Sequence, residues 1–226
     1  MQGIFGGPKS ALYDARVSVS GGDSNIEITK LKADNQALQK KLIDYEKLKE
    51  DNQALRSQFE EGSVHNYKML PAHIIGFVGS FGRPSALIID QGERSNVKNG
   101  MAVVFGNNLV GKIGNSSENY AKVLLPEDPS FSIIAQSAES QSLGLVAGEE
   151  DFILFDRVSI KDKIVAGETV LTKGEADNSG DGIPADLVIG KIESIYRNES
   201  QPYQTAKVKS EVDTEHLSTV FVIVGF

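Results

Sequence analysis

A chain of 226 residues, 40% hydrophobic and 24% charged, has room for one or two compact domains beside any extended element. Its formal net charge of −8, with no basic cluster, argues against nucleic acid as a partner. The absence of cysteine excludes disulfides, thiolate metal sites and thiol catalysis, and no stretch approaches the run of about 18 apolar residues that spans a bilayer.

Residues 1–25 mix Gly, Ser, Pro and small residues without a sustained period. They read as a flexible leader, with at most a short extended piece around Val17–Val19. Gly22-Asp23-Ser24 has the look of a protease nucleophile, but in such a leader Asp23 or Ser24 fits better as an N-cap. From 26 to 61 the texture becomes that of a coiled-coil dimerisation helix. Its seam runs through Ile28, Leu31, Asn35, Leu38, Leu42, Tyr45, Leu48, Asn52, Leu55 and Phe59, in steps of three and four. The phrase Asp-Asn-Gln-Ala-Leu occurs at 34–38 and again at 51–55, and the seam slips by three residues at Tyr45–Leu48. That slip is a stammer, which overwinds a supercoil locally. Asn35 and Asn52 lie on the seam, where a buried Asn fixes register and favours two parallel strands. Acidic and basic residues nearly balance along this helix, so its other faces are solvated rather than lipid-binding. The rod from Ile28 to Phe59 would be about 48 Å long at about 1.5 Å per residue. A homodimer is the expected assembly; an antiparallel hairpin, or packing onto the chain's own β-region, is the alternative. Gly62 supplies the stop.

After a linker at 62–71, short β-branched runs alternate with Gly, Asn, Asp and Pro. The clearest are Ala72–Val78, Ala86–Asp90, Met101–Phe105, Leu109–Ile113, Lys122–Leu125 and Ser132–Gln136. Phe152–Phe155, Thr169–Thr172, Leu187–Ile195, Thr205–Val208 and Thr219–Val224 follow. Gly106-Asn107-Asn108 is a hairpin signal. Val97-x-x-Gly100-x-x-Val103-Val104 is echoed by Ile164-x-x-Gly167-x-x-Val170-Leu171, and Leu109-Val-Gly-Lys-Ile113 by Val188-Ile-Gly-Lys-Ile192. The fold class is therefore mostly β with one long N-terminal α-helix: a coiled coil followed by two small β-barrels. Residues 72–226 form this tandem region, with a first unit at about 72–146 and a second at about 147–200. Strands within 203–226 complete the barrels, and the second unit carries a polar insertion at 173–186.

Little in the chain offers chemistry. Three histidines are present, His65, His73 and His216, and no Ser lies in a nucleophile turn on a strand. His73 reads as a strand-edge residue. Asp177-Asn178-Ser179-Gly180-Asp181-Gly182 begins like a calcium loop, but Val188 stands where a bidentate Glu is required, so a solvated hairpin tip fits better. Glu149-Glu150-Asp151 reads as a turn. No catalytic residue, cofactor or metal site is expected.

The heptad helix, the run Leu87-Ile-Ile-Asp-Gln-Gly-Glu-Arg-Ser-Asn-Val-Lys-Asn-Gly-Met-Ala-Val103 and the phrase Val123-Leu-Leu-Pro-Glu-Asp-Pro129 together resemble the rod shape-determining MreC family. The likeness extends through Gly182-Ile-Pro-Ala-Asp-Leu-Val-Ile-Gly190 and Val208-Lys-Ser-Glu-Val-Asp-Thr-Glu-His-Leu217. It implies six-stranded barrels of chymotrypsin-like topology without the catalytic apparatus. It also implies a bacterial inner-membrane protein, with this chain on the periplasmic side of a membrane helix that the chain lacks. The function implied is a non-enzymatic cell-shape scaffold that organises and activates peptidoglycan elongation. The implied partners are the elongation-specific penicillin-binding transpeptidase, MreD and the actin-like cytoskeleton. The insertion at 173–186 departs from the family's Phe-Pro-x-Gly phrase. A periplasmic adaptor of an efflux or secretion system is an alternative, weakened because adaptors insert a helical hairpin into a β-domain. A trypsin-like hydrolase is a further alternative that lacks the nucleophile context.

Overall fold

The computed structural model describes residues 11–61, 67–80, 82–149, 152–176 and 180–226, with helix side chains described for 28–53. The chain divides into two compact units, Met1–Glu50 and Asp51–Phe226. The helix, α1, runs Ala11–Glu61. It therefore begins some fifteen residues before the expected start at 26, and Val17–Val19, Asp23 and Ser24 are helical rather than extended or capping. No proline follows Pro8 before the heptads, and one continuous helix tolerates Gly21-Gly22 at a cost of about 1 kcal/mol per glycine.

Among the described residues twelve strands follow: β1 Lys68–Ser80, β2 Arg83–Ile89, β3 Ala102–Phe105, β4 Asn108–Ser116, β5 Ala121–Leu124 and β6 Ser132–Ser137. The rest are β7 Leu143–Glu149, β8 Phe152–Ser159, β9 Thr169–Ala176, β10 Gly182–Tyr196, β11 Tyr203–Lys209 and β12 Thr219–Gly225. They close into two antiparallel six-stranded rings. The first runs β1-β2-β5-β4-β3-β12 and back to β1. The second runs β6-β7-β8-β11-β10-β9 and back to β6. Closure leaves neither ring with a free sheet edge.

Two features were hidden in the sequence. Strand β7 is Leu-Gly-Leu-Val-Ala-Gly-Glu, and its glycines mask it as a loop. They are there for close passage: a Cβ on Gly148 would lie 2.2 Å from the Asp128 carbonyl oxygen. Strands β6 and β7 also pair in the second ring, although residues up to 146 were expected in the first. The repeated phrases mark β3–β4 and β9–β10 and carry no signal for the strands between.

The repeat itself is physically real. Gly100 N–H donates to Ile113 and Ile113 N–H to Met101; Gly167 N–H donates to Ile192 and Ile192 N–H to Glu168. Gly111 and Gly190 occupy equivalent places, where an added Cβ would meet the Leu124 or Lys209 carbonyl oxygen at 2.2 Å.

The rings join through a parallel contact of β10 with β4, where Val188 N–H donates to the Asn107 carbonyl. Strands β3 and β12 are apolar on both faces for this reason. Val103, Val220 and Val222 fill the first barrel, while Val104, Phe221 and Ile223 pack into the second barrel's core. The insertion at 173–186 extends the β9–β10 hairpin, with Ile183 buried and Asp181 paired to Lys98 at 2.6 Å.

Candidate functional site

The seam residues lie along α1, with side chains described for Ile28 to Asn52. Ile28, Leu31, Leu38, Leu42, Tyr45 and Leu48 are exposed, and so are Asn35 and Asn52. The side chains of Leu55 and Phe59 lie outside the described residues. Six large apolar side chains on one narrow stripe are more than a lone solvated helix needs. Among the described residues no helix is long and apolar enough to cross a membrane.

The barrels place one histidine in an unexpected setting. Strand β1 changes partner at His73: the preceding residues pair with β12, and pairing with β2 begins at Ile74. At that handover His73 Nδ1 lies 2.9 Å from Asp90 Oδ2 and Nε2 lies 3.1 Å from Asp51 Oδ2. The His73 backbone N–H donates to Asp90 Oδ1 at 2.7 Å, and Thr219 Oγ1 donates to Asp51 Oδ1 at 2.6 Å. The bond to Asp90 is the largest cause raising the His73 pKa above its ordinary value; desolvation opposes it and Asp51 adds to it. His73 is thus an ion-paired residue rather than the simple strand edge expected. No local signal could reveal this, because Asp51 and Thr219 are 168 positions apart.

A second polar cluster sits in the other barrel. Glu168 is 1% exposed, and its Oε1 accepts the Glu139 N–H, the Ser140 N–H and the Ser140 hydroxyl at 3.1, 2.6 and 2.8 Å. Its Oε2 accepts Val165 N–H at 3.2 Å. Burial pushes this carboxyl up, but the Ser140 and Val165 bonds, with the Ser137 hydroxyl, outweigh it and hold the pKa below the usual range. In the first barrel the equivalent residue is Met101, whose sulfur accepts the Lys98 N–H at 3.3 Å. The carboxylate is therefore a stronger version of a turn clamp present in both barrels.

Neither cluster assembles a nucleophile. A triad needs base, orienting carboxylate and hydroxyl in sequence. His73 has a carboxylate on each ring nitrogen, and the Thr219 hydroxyl points to Asp51. Ser140 reaches a carboxylate and two serines but no imidazole. His216 lies exposed and pairs with Asp213 at 2.8 Å. Asp23 and Ser24 lie in the helix, His65 lies outside the described residues, and so does 177–179 of the calcium-like loop. Among the described residues no group of three His, Asp or Glu is placed to hold a metal ion.

The outer surface carries scattered apolar side chains. Ile75 and Phe77 on β1, Tyr120 before β5, Ile134 and Leu143 on the second barrel, and Tyr196 and Tyr203 on β10–β11 are all about half exposed or more. An open cleft of about 290 Å³ lies between Arg83, Leu125, Glu127, Val212 and Asp213. Burial raises the Glu127 pKa there, against its own backbone hydrogen bond.

The family description "Rod shape-determining protein MreC, barrel core" matches residues 82–224. A solved MreC structure superposes with a TM-score of 0.68 at 21% identity, covering 78% of this chain and 98% of that one. MreC of Listeria monocytogenes gives a TM-score of 0.60 at 24% identity, covering 84% and 94%. A chain in the complex between penicillin-binding protein PBP2 and MreC from Helicobacter pylori gives 0.57 at 17% identity, covering 70% and 99%. No curated protein sequence matches.

Proposed function

The chain belongs to the MreC family of rod shape-determining proteins, and we propose that it acts by assembly, without catalysing a reaction. It is a bacterial cell-shape scaffold that works on the periplasmic side of the inner membrane. Two copies join along the α1 seam and present paired barrels to envelope partners. The elongation-specific penicillin-binding transpeptidase is the first of these, with MreD and the actin-like cytoskeleton as further members of the assembly. Binding that favours the active state of the synthase would stimulate peptidoglycan elongation without chemistry by the scaffold.

The observation that carries this reading is the family match across the barrel core, residues 82–224. The complex of PBP2 with an MreC relative supports the transpeptidase as partner. The exposed Leu31, Leu38, Leu42 and Leu48 support the dimer. The test is calorimetric titration of the whole chain with the periplasmic part of the elongation transpeptidase from the same bacterium. Saturable binding is expected; no heat and no co-migration would sink the assignment of that partner. An active-site serine probe should leave the chain unlabelled, and labelling would revive the hydrolase.

A further inference from the structure

The residues from Asp51 onward form one compact unit with the barrels, and Asp51 on α1 meets the strands at His73 and at Thr219. We propose that doubly protonated His73, gripped by Asp51 of α1 and Asp90 beyond β2, is a proton-operated clasp on the last turns of the helix, and that its deprotonation loosens them.

Each ring nitrogen of His73 faces a carboxylate oxygen, at 2.9 and 3.1 Å, and carboxylates only accept. Both pairings are hydrogen bonds only when both nitrogens carry protons, so the geometry is that of the imidazolium. A neutral ring keeps one N–H and turns a lone pair toward the other carboxylate. Which of the two bonds breaks is also set by geometry. Asp90 is held to His73 twice more, accepting its backbone N–H at 2.7 Å and donating its own N–H to the His73 carbonyl at 3.0 Å. The neutral tautomer therefore keeps the proton on Nδ1, toward Asp90. The lone pair on Nε2 then opposes Asp51, and the bond to the helix is the one that breaks.

Among the described residues, the charged groups that face His73 are Asp51 from the helix and Asp90 from the segment after β2; the neutral Thr219 hydroxyl on β12 holds the far oxygen of Asp51. The direction of the pH effect follows from linkage. A histidine whose folded pKa is raised contributes stability that is complete below its unfolded value and is lost as pH rises through the folded one. The ring and both carboxylates are partly exposed, so a proton can enter and leave without unfolding. The Thr219 bond survives deprotonation, which makes the release a loosening rather than a detachment.

The test uses the whole chain. The His73 ring is titrated by NMR, and amide exchange, corrected for its intrinsic pH dependence, is followed at 51–58. The ring should titrate above the ordinary histidine value, and protection at 51–58 should fall several-fold as pH rises through that titration. Asp51→Asn should move the ring titration downward and abolish the pH dependence of protection. His73→Gln should give low protection at every pH, and Thr219→Val should enlarge the fall seen in the parent. A ring that titrates at the same pH in Asp51→Asn, or protection at 51–58 that does not change with pH in the parent, overturns the clasp.

Discussion

At Glu168 four donors converge on a buried carboxyl; burial raises its pKa, and the bonds from Ser140 and Val165 outweigh that by favouring the ionised form. Replacing it by Gln halves the acceptor capacity and leaves buried N–H groups short of a partner. Glu168→Gln should cost about 1.5–3 kcal/mol by urea denaturation. Its pKa is lowered on folding, so its contribution is complete above the unfolded value of about 4.3 and is lost as pH falls through the folded one. The variant should therefore lose less stability than the parent over that acid range. The same scale explains Gly111 and Gly190, whose places beside the Leu124 and Lys209 carbonyls leave no room for a methyl. Gly111→Ala and Gly190→Ala should each destabilise by about 1–3 kcal/mol, read from the denaturation midpoint. Both glycines were legible in the sequence as a repeated phrase. The Glu168 clamp was not, because its partners Glu139 and Ser140 come from a different turn and carry no spacing signal.

At the scale of elements, eleven of the strands could be read from β-branched runs between turn residues, because each such run lies half-buried on a barrel wall. Strand β7 failed that reading since its two glycines are required by neighbouring backbone and side chains, not by a turn. The continuous apolar runs of β3 and β12 signalled burial on both faces without saying against what. Phe221 answers that: it belongs to the first ring by pairing and to the second barrel's core by packing. Phe221→Ala should cost about 3–5 kcal/mol. Raised amide exchange should appear in β9 and β10 as well as in β3 and β12; an effect confined to β3 and β12 would mean that the barrels are energetically separate. The helix was legible over its heptads and underestimated at its start, where Ala11–Arg16 offers good helix formers but no seam.

Across the whole molecule, two closed barrels follow a helix whose described seam residues Ile28, Leu31, Leu38, Leu42, Tyr45 and Leu48 are exposed. The stripe was legible because a seam is a one-dimensional pattern. The ring membership of β6, β7, β11 and β12 was not, because it depends on pairings between strands far apart in sequence. Asn35 and Asn52 set a further expectation. Asn35→Ile should raise the thermal stability of the assembled helix while broadening its oligomeric states beyond two, as seen by light scattering. The proposed seam-held pair can be read by sedimentation velocity over a concentration series. The whole chain should sediment as a dimer and Leu38→Lys combined with Leu42→Lys as a monomer, with the β signal in circular dichroism unchanged. A parent that stays monomeric at every concentration, or a double variant that still sediments as a dimer, would contradict it.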